Sequence, residues 1–193
     1  MDRNSRNSQG YKLESQIREA YGKLVYTETC HNKLINRLVQ KNYWIRLIQV
    51  PLSAMSATGL IYSYYSYCKI SITISTLLTM ILLILQLWDL IARYEENINL
   101  HKLAADKLWK IREEYISLLT DFDLLTEDVI MARRDDLQNR TYEVYCNSPR
   151  TDKDSYIEAQ KALKCEEEQT FSDIEIDNLL PNSIRRRNRI ISD

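Results

Sequence analysis

Between Glu28 and Asp89 the chain carries no carboxylate, and inside that window lie two long uncharged apolar runs, Leu47–Cys68 of 22 residues and Ile70–Trp88 of 19. Only Lys69 separates them. A helix needs about 20 predominantly apolar residues to cross a hydrocarbon core roughly 30 Å thick. A helix buried in a soluble bundle rarely lacks charge on every face over such a length. The pattern predicts a transmembrane helical hairpin at 44–91, with spans at about 47–67 and 70–90.

The aromatic residues agree with a bilayer. Trp44 opens the first run and Trp88 closes the second, while Tyr62, Tyr64, Tyr65 and Tyr67 sit at the opposite end. Such rings favour the interfaces, because the ring is apolar and its polar edge wants water. Trp44 to Tyr64 covers roughly 30 Å at ~1.5 Å per residue. Lys33, Arg37, Lys41 and Arg46 precede the first span, Arg93 and Lys102 follow the second, and the turn has Lys69 alone. That bias predicts a multi-pass inner-membrane protein with both termini cytoplasmic.

The spans are unequal. The second contains eleven Ile and Leu residues, which favour insertion by about 3–7 kcal/mol. The first has six Ile, Leu and Val together with Gln49, Pro51 and four serines, so it should insert poorly alone. Pro51 lacks a donor and predicts a kink near the inner leaflet.

Polar residues recur along both spans. Gln49, Ser53, Ser56, Leu60, Ser63 and Tyr67 follow spacings of 4 and 3, as do Ser75, Thr79, Leu82, Gln86, Asp89 and Arg93. One reading is a pore lined by Gln49, Ser53, Ser56, Leu60, Ser63 and Gln86 from several copies. The other is that the stripes pack helix on helix, a contact that small and hydroxyl side chains favour in lipid.

Outside the hairpin the chain reads as all-α, with cytosolic helical extensions packed as a bundle. Residues 1–43 form an N-terminal helical segment, helical from about residue 11; Lys33, Arg37 and Lys41 make a basic stripe suited to anionic lipid or to solvation alone. In 92–169, Ala104, Leu108, Ile111, Tyr115, Leu118, Phe122, Leu125 and Val129 alternate spacings of 4 and 3. Such a heptad predicts a helix–helix seam, closing on the N-terminal helix of the same subunit or on another copy. A shorter helix is expected at Leu137–Tyr145, a break at Asn147–Ser148–Pro149, and a polar helix at Asp154–Glu168. Residues 170–193 read as a mobile tail, acidic at Asp173, Glu175 and Asp177, then basic at Arg185, Arg186, Arg187 and Arg189.

Enzymatic chemistry is not expected. Three glycines leave no phosphate-binding loop. Cys30, Cys68, Cys146 and Cys165 lack metal-like spacing and read as free thiols. His31 and His101, the two histidines, offer too few ligands for a metal. Glu95–Glu96 and Asp135–Asp136 are adjacent, so each pair points to different helix faces. No catalytic residue, metal or cofactor is assigned.

The order of parts resembles the SLATT two-transmembrane effectors of bacterial conflict systems. Ala105–Asp106–Lys107–Leu108–Trp109–Lys110–Ile111–Arg112, followed by Tyr115 and Leu118–Leu119, is similar to that family's post-membrane helix. Leu137–Tyr142 with Pro149 and Tyr156–Ala159 is similar to its C-terminal part, most like the subfamily found beside reverse transcriptases. The resemblance covers roughly residues 10–170. It implies a homo-oligomeric effector that permeabilises the membrane and arrests or kills the cell when a separately encoded sensor, such as a reverse transcriptase or nucleotide-signal system, triggers it. Direct nucleic-acid binding is not expected. The rival is a non-conducting scaffold that recruits a partner to the inner leaflet.

Overall fold

Few glycines and prolines leave few places to interrupt a helix. The computed structural model describes residues 3–66, 69–181 and 185, with side chains described from Gly10 onward. Its helices are α1 (Arg3–Ser66), α2 (Lys69–Ala92), α3 (Tyr94–Thr120), a 3-10 turn (Phe122–Leu124), α4 (Glu127–Asn147), α5 (Lys153–Lys164) and α6 (Asp173–Leu179). No strand occurs among the described residues, so the all-α expectation holds.

α1 runs 64 residues without a break. It carries on from the N-terminal segment into the first expected span across residue 43/44, and through Pro51. Its outer part pairs with α2 as the hairpin. Its inner part packs against α3 and α5, and α4 lies on α3, to form a stem.

The helix between α2 and α3 is interrupted at one residue. Arg93 adopts a left-handed conformation, φ 45° and ψ 45°. A non-glycine residue there costs about 1 kcal/mol or more. Asn97 offsets part of the disruption by donating its Nδ2 to the Ala92 carbonyl at 3.0 Å, an acceptor orphaned by the end of α2.

The stem core is apolar and arranged in heptads. Leu13, Ile17 and Leu24 of α1 meet Ala104, Leu108, Ile111, Tyr115 and Leu118 of α3. α4 adds Ile130, Leu137 and Val144, seven residues apart. α5 approaches α1 through small buried residues, Ser155, Ala159 and Ala162, at spacings of 4 and 3. Asp152 caps α5, its carboxylate accepting from Ser155 N at 2.8 Å.

Several expected elements shift. The eight-position seam does not lie on one helix. α3 ends at Thr120, Phe122 and Leu125 pack partly buried in the connection, and Val129 lies 41% exposed on α4. After the turn, α4 doubles back along α3: Arg140 reaches Glu114, and Leu137 and Leu118 share one core. The hydrophobic spacing continues through Phe122 and Leu125 because they fill the end of the same core from a different segment, and it fails at Val129. The helix expected at Leu137–Tyr145 is 21 residues long, and the one expected at Asp154–Glu168 stops at Lys164. Within the tail, Ser172 opens α6 with a reciprocal capping box to Glu175, so 173–179 is helical rather than irregular. Tyr67, Cys68, Arg186, Arg187 and Arg189 lie outside the described residues.

Candidate functional site

Two regions bear on function: the hairpin, and a belt of buried polar groups beneath it.

In the hairpin the buried positions are small. Ser56, Ser63 and Ser75 are almost fully enclosed, each under 6% exposed. Ser56 Oγ lies 2.5 Å from Thr79 Oγ1 and also donates to the Ser75 carbonyl at 3.4 Å. Ser71 Oγ donates to the Gly59 carbonyl at 3.2 Å, and Ser63 Oγ to the same carbonyl at 2.7 Å. A Cβ at Gly59 would collide with Ser75 Oγ, so the present approach relies on glycine unless that hydroxyl turns away. Lipid chains are as apolar as Leu, so helices in a membrane gain by close packing and hydrogen bonding of this kind rather than by leaving water.

The polar stripe of the first span therefore divides. Ser56 and Ser63 are enclosed within this chain, Ser56 bonded to Thr79 of α2 and Ser63 to the Gly59 carbonyl of α1, and neither faces a lumen here. Ser53 and Gln86 are exposed, and Leu60 is 46% exposed. Gln49 is half-buried, with its Nε2 enclosed and lacking a hydrogen-bond partner. The exterior is apolar almost throughout, from Leu47, Ile48 and Val50 to Leu83, Ile84 and Leu87.

Trp88 Nε1 donates to the Tyr94 hydroxyl at 3.4 Å at the C-terminal end of α2. Beside it opens a cavity of about 830 Å³, lined by Arg46, Asp89, Arg93, Glu95 and Glu96 among others. Arg46 pairs with Glu95 at 2.6 Å and Arg93 with Glu96 at 3.2 Å, so these two cations have carboxylates beside them.

Deeper in the stem, four consecutive residues of α1, Glu28, Thr29, Cys30 and His31, are all buried. Consecutive positions point to every side of a helix, so α1 is enclosed all round here. α3 supplies Arg112, whose Nη1 lies 2.9 Å from Glu28 Oε2, with both side chains largely buried. That oxygen is not aligned for a hydrogen bond, so the pairing is one of charge. Burial raises the Glu28 carboxyl above its ordinary range, and Arg112 opposes the rise. α3 also supplies His101, which meets His31.

The segment after α5 closes the belt. Glu167 and Gln169 both take positive φ, 53° and 66°, folding the chain back onto α1. Gln169 accepts from Arg112 Nη1 at 2.5 Å and donates to Thr29 Oγ1 at 3.1 Å. Glu168 pairs with Lys33 at 2.6 Å. Arg37 lies among Asp152, Asp154 and Glu158, the first at 3.0 Å. Two members of the expected basic stripe thus hold α5 and the strap rather than standing free.

The seam residues Leu108, Ile111, Tyr115 and Leu118 are buried against α1 and α4 of the same chain. Sequence reasoning missed the meeting of the two histidines, the Glu28–Arg112 pair and the regular Ile130, Leu137 and Val144. The last had a signal in its seven-residue spacing. The others had none, because a contact across 70 residues has no local pattern.

By length and composition, the helical stretch that begins at Lys69 is the one among the described residues able to cross a membrane. Residues 13–175 match the model of the SMODS and SLOG-associating 2TM effector domain family 4. The chain belongs to this family. No curated protein and no solved structure matches it. The SLATT assignment makes it a membrane-associated effector-domain protein of conflict systems. The match covers hairpin, stem and strap together, so the buried belt lies within the family domain.

Proposed function

We propose that the chain is a non-enzymatic membrane effector whose hairpin crosses the bacterial inner membrane twice, with both termini cytoplasmic. Copies assemble and permeabilise the membrane when a separately encoded sensor acts on the stem. A reverse transcriptase or a nucleotide-signal system is the kind of sensor expected. The observation that carries this reading is Gln49, whose Nε2 is enclosed in the hairpin's inner half with no acceptor among the described residues. An unpaired amide in an apolar setting costs several kcal/mol, of order 2–7, and because Nε2 is enclosed that cost is relieved only by a second arrangement that opens it to water or to another copy. Gln86 on α2 is likewise a polar group on an otherwise lipid-like exterior. The unbroken course of α1 from stem to hairpin offers a rigid route for a trigger.

The test is ion leakage from liposomes containing the purified protein, with oligomer mass measured alongside. Gln49→Leu and Gln86→Leu together should reduce leakage at least tenfold and leave insertion intact. Leakage equal to wild type would remove both residues from the pathway. A second reading, the non-conducting scaffold, is favoured by the use of Ser56, Ser63, Ser75 and Thr79 in packing. It predicts no leakage from any assembled form of the protein.

A further inference from the structure

The two histidines lie 70 residues apart and meet inside the stem, with Nδ1 to Nδ1 at 2.8 Å and ring centroids at 5.0 Å. Both residues are under 5% exposed. Such a contact holds one hydrogen: one ring donates Nδ1–H and the other accepts with its lone pair. A first extra proton, on an outer nitrogen, keeps the bond but leaves a buried charge. A second turns both Nδ1 atoms into donors that face and repel each other.

The surroundings do little to compensate such charge. From the start of α5, Asp152 is the carboxylate whose field reaches His101, and it is already engaged by Ser155 and Arg37. On α1, Cys30 is buried and its thiol is pushed up by that burial, so it stays neutral. Glu28 is paired with Arg112 of α3, and Asp106 and Glu113 of α3 act on Glu28. Among the described residues neither imidazole has an ion-pair partner.

We propose that the His31–His101 contact is an acid-sensitive latch that holds α1 against α3 at neutral pH and releases when the rings take up protons. The contact sits about 20 Å from Trp44 along α1, thirteen residues at ~1.5 Å each, so release frees the root of the hairpin. Burial, then the neighbouring His101, holds the His31 imidazole down to about 4. Burial lowers His101 as well, with Asp152 opposing. Both rings are therefore neutral when packed, and more basic once exposed. The latch is complete above about pH 6.5, the ordinary histidine value, and weakens as pH falls from there toward 4. Being a property of the stem, it goes beyond the proposed permeabilising activity and stands whether or not the hairpin conducts.

Hydrogen exchange on the full chain in detergent micelles, from pH 8 to 5 and corrected for intrinsic rates, tests it. Peptides covering 24–36 and 98–108 should open more readily, by roughly twentyfold between pH 7 and 5, for a ring whose pKa moves from 6.5 to about 4 on packing. The double variant His31→Phe/His101→Phe should lose that rise. A rise of the same size in that variant, or no rise in wild type, overturns the latch. Should the variant not accumulate, NMR titration of the ring carbons in wild type decides: at least one ring must titrate well below 6.5, and two rings titrating near 6.5 refute it.

Discussion

Hairpin and stem are built from the same long helix, yet they are held together by opposite means. The stem buries large side chains, Ile17, Leu24, Leu108, Tyr115 and Leu118, and shields charge pairs behind them. The hairpin buries serines beside a half-buried glycine and turns its large side chains outward. The difference is the one expected if, as proposed, the hairpin lies in lipid and the stem in water. Against water, enclosing apolar area at roughly 25 cal/mol per Å² is the main gain. Against lipid that gain vanishes, and close backbone approach with satisfied hydroxyls remains. A single helix therefore changes its packing code between His31 and Ser56 without changing its backbone.

The sharpest way to break this comparison is to make one substitution in both halves. Leu108→Ala in the stem should cost about 2–5 kcal/mol, because the fully buried side chain leaves a cavity. Leu83→Ala on the hairpin exterior, where Leu83 is 56% exposed, should leave packing stability nearly unchanged. Thermal unfolding in detergent, followed by circular dichroism, reads both. Equal losses would mean that the two halves share one packing rule.

A comparable effect should come from charge. Arg112→Ala leaves Glu28 buried beside no cation and should cost about 3–5 kcal/mol. Glu28→Gln should cost clearly less, since it removes the charge that needs compensation. Denaturant titration of the two variants gives the order, and the reverse order would show that the pair is not the belt's dominant constraint. The raised Glu28 carboxyl adds a sign. A carboxyl whose folded pKa lies above its unfolded value stabilises the fold at low pH, and that contribution fades as pH rises through the folded value. Arg112→Ala should therefore be most destabilising near neutral pH and recover part of the loss on mild acidification.

The smallest effect is in the hairpin. Gly59→Ala brings a Cβ into Ser75 Oγ and should cost about 1–3 kcal/mol by overpacking. Ser75→Ala removes that oxygen and leaves its Cβ at 3.4 Å, an ordinary contact, so the double variant should regain most of the loss. A double-mutant cycle on melting temperature measures the coupling. Simple additivity would show that the hairpin is not held at this point.

Sequence pattern alone carried the helical class, the hairpin and the core face of α3. Leu108, Ile111, Tyr115 and Leu118 were readable because helical periodicity is local and each turn repeats the same demand. The same logic overran its evidence at Val129, since hydrophobic spacing does not register a chain reversal that keeps filling one core. It also left Ser56 and Ser63 open between a lumen and a neighbour, because a small hydroxyl suits both; the tertiary structure encloses both within the chain. The family, too, was legible, since its helical pattern runs through most of the chain. What only the tertiary structure decided is the belt. Glu28 with Arg112, His31 with His101 and Thr29 with Gln169 join residues 70 to 140 apart. Such pairs are set by how three helices and a returning strap close on α1, and no local rule of spacing or propensity encodes which distant residue will fill a given place.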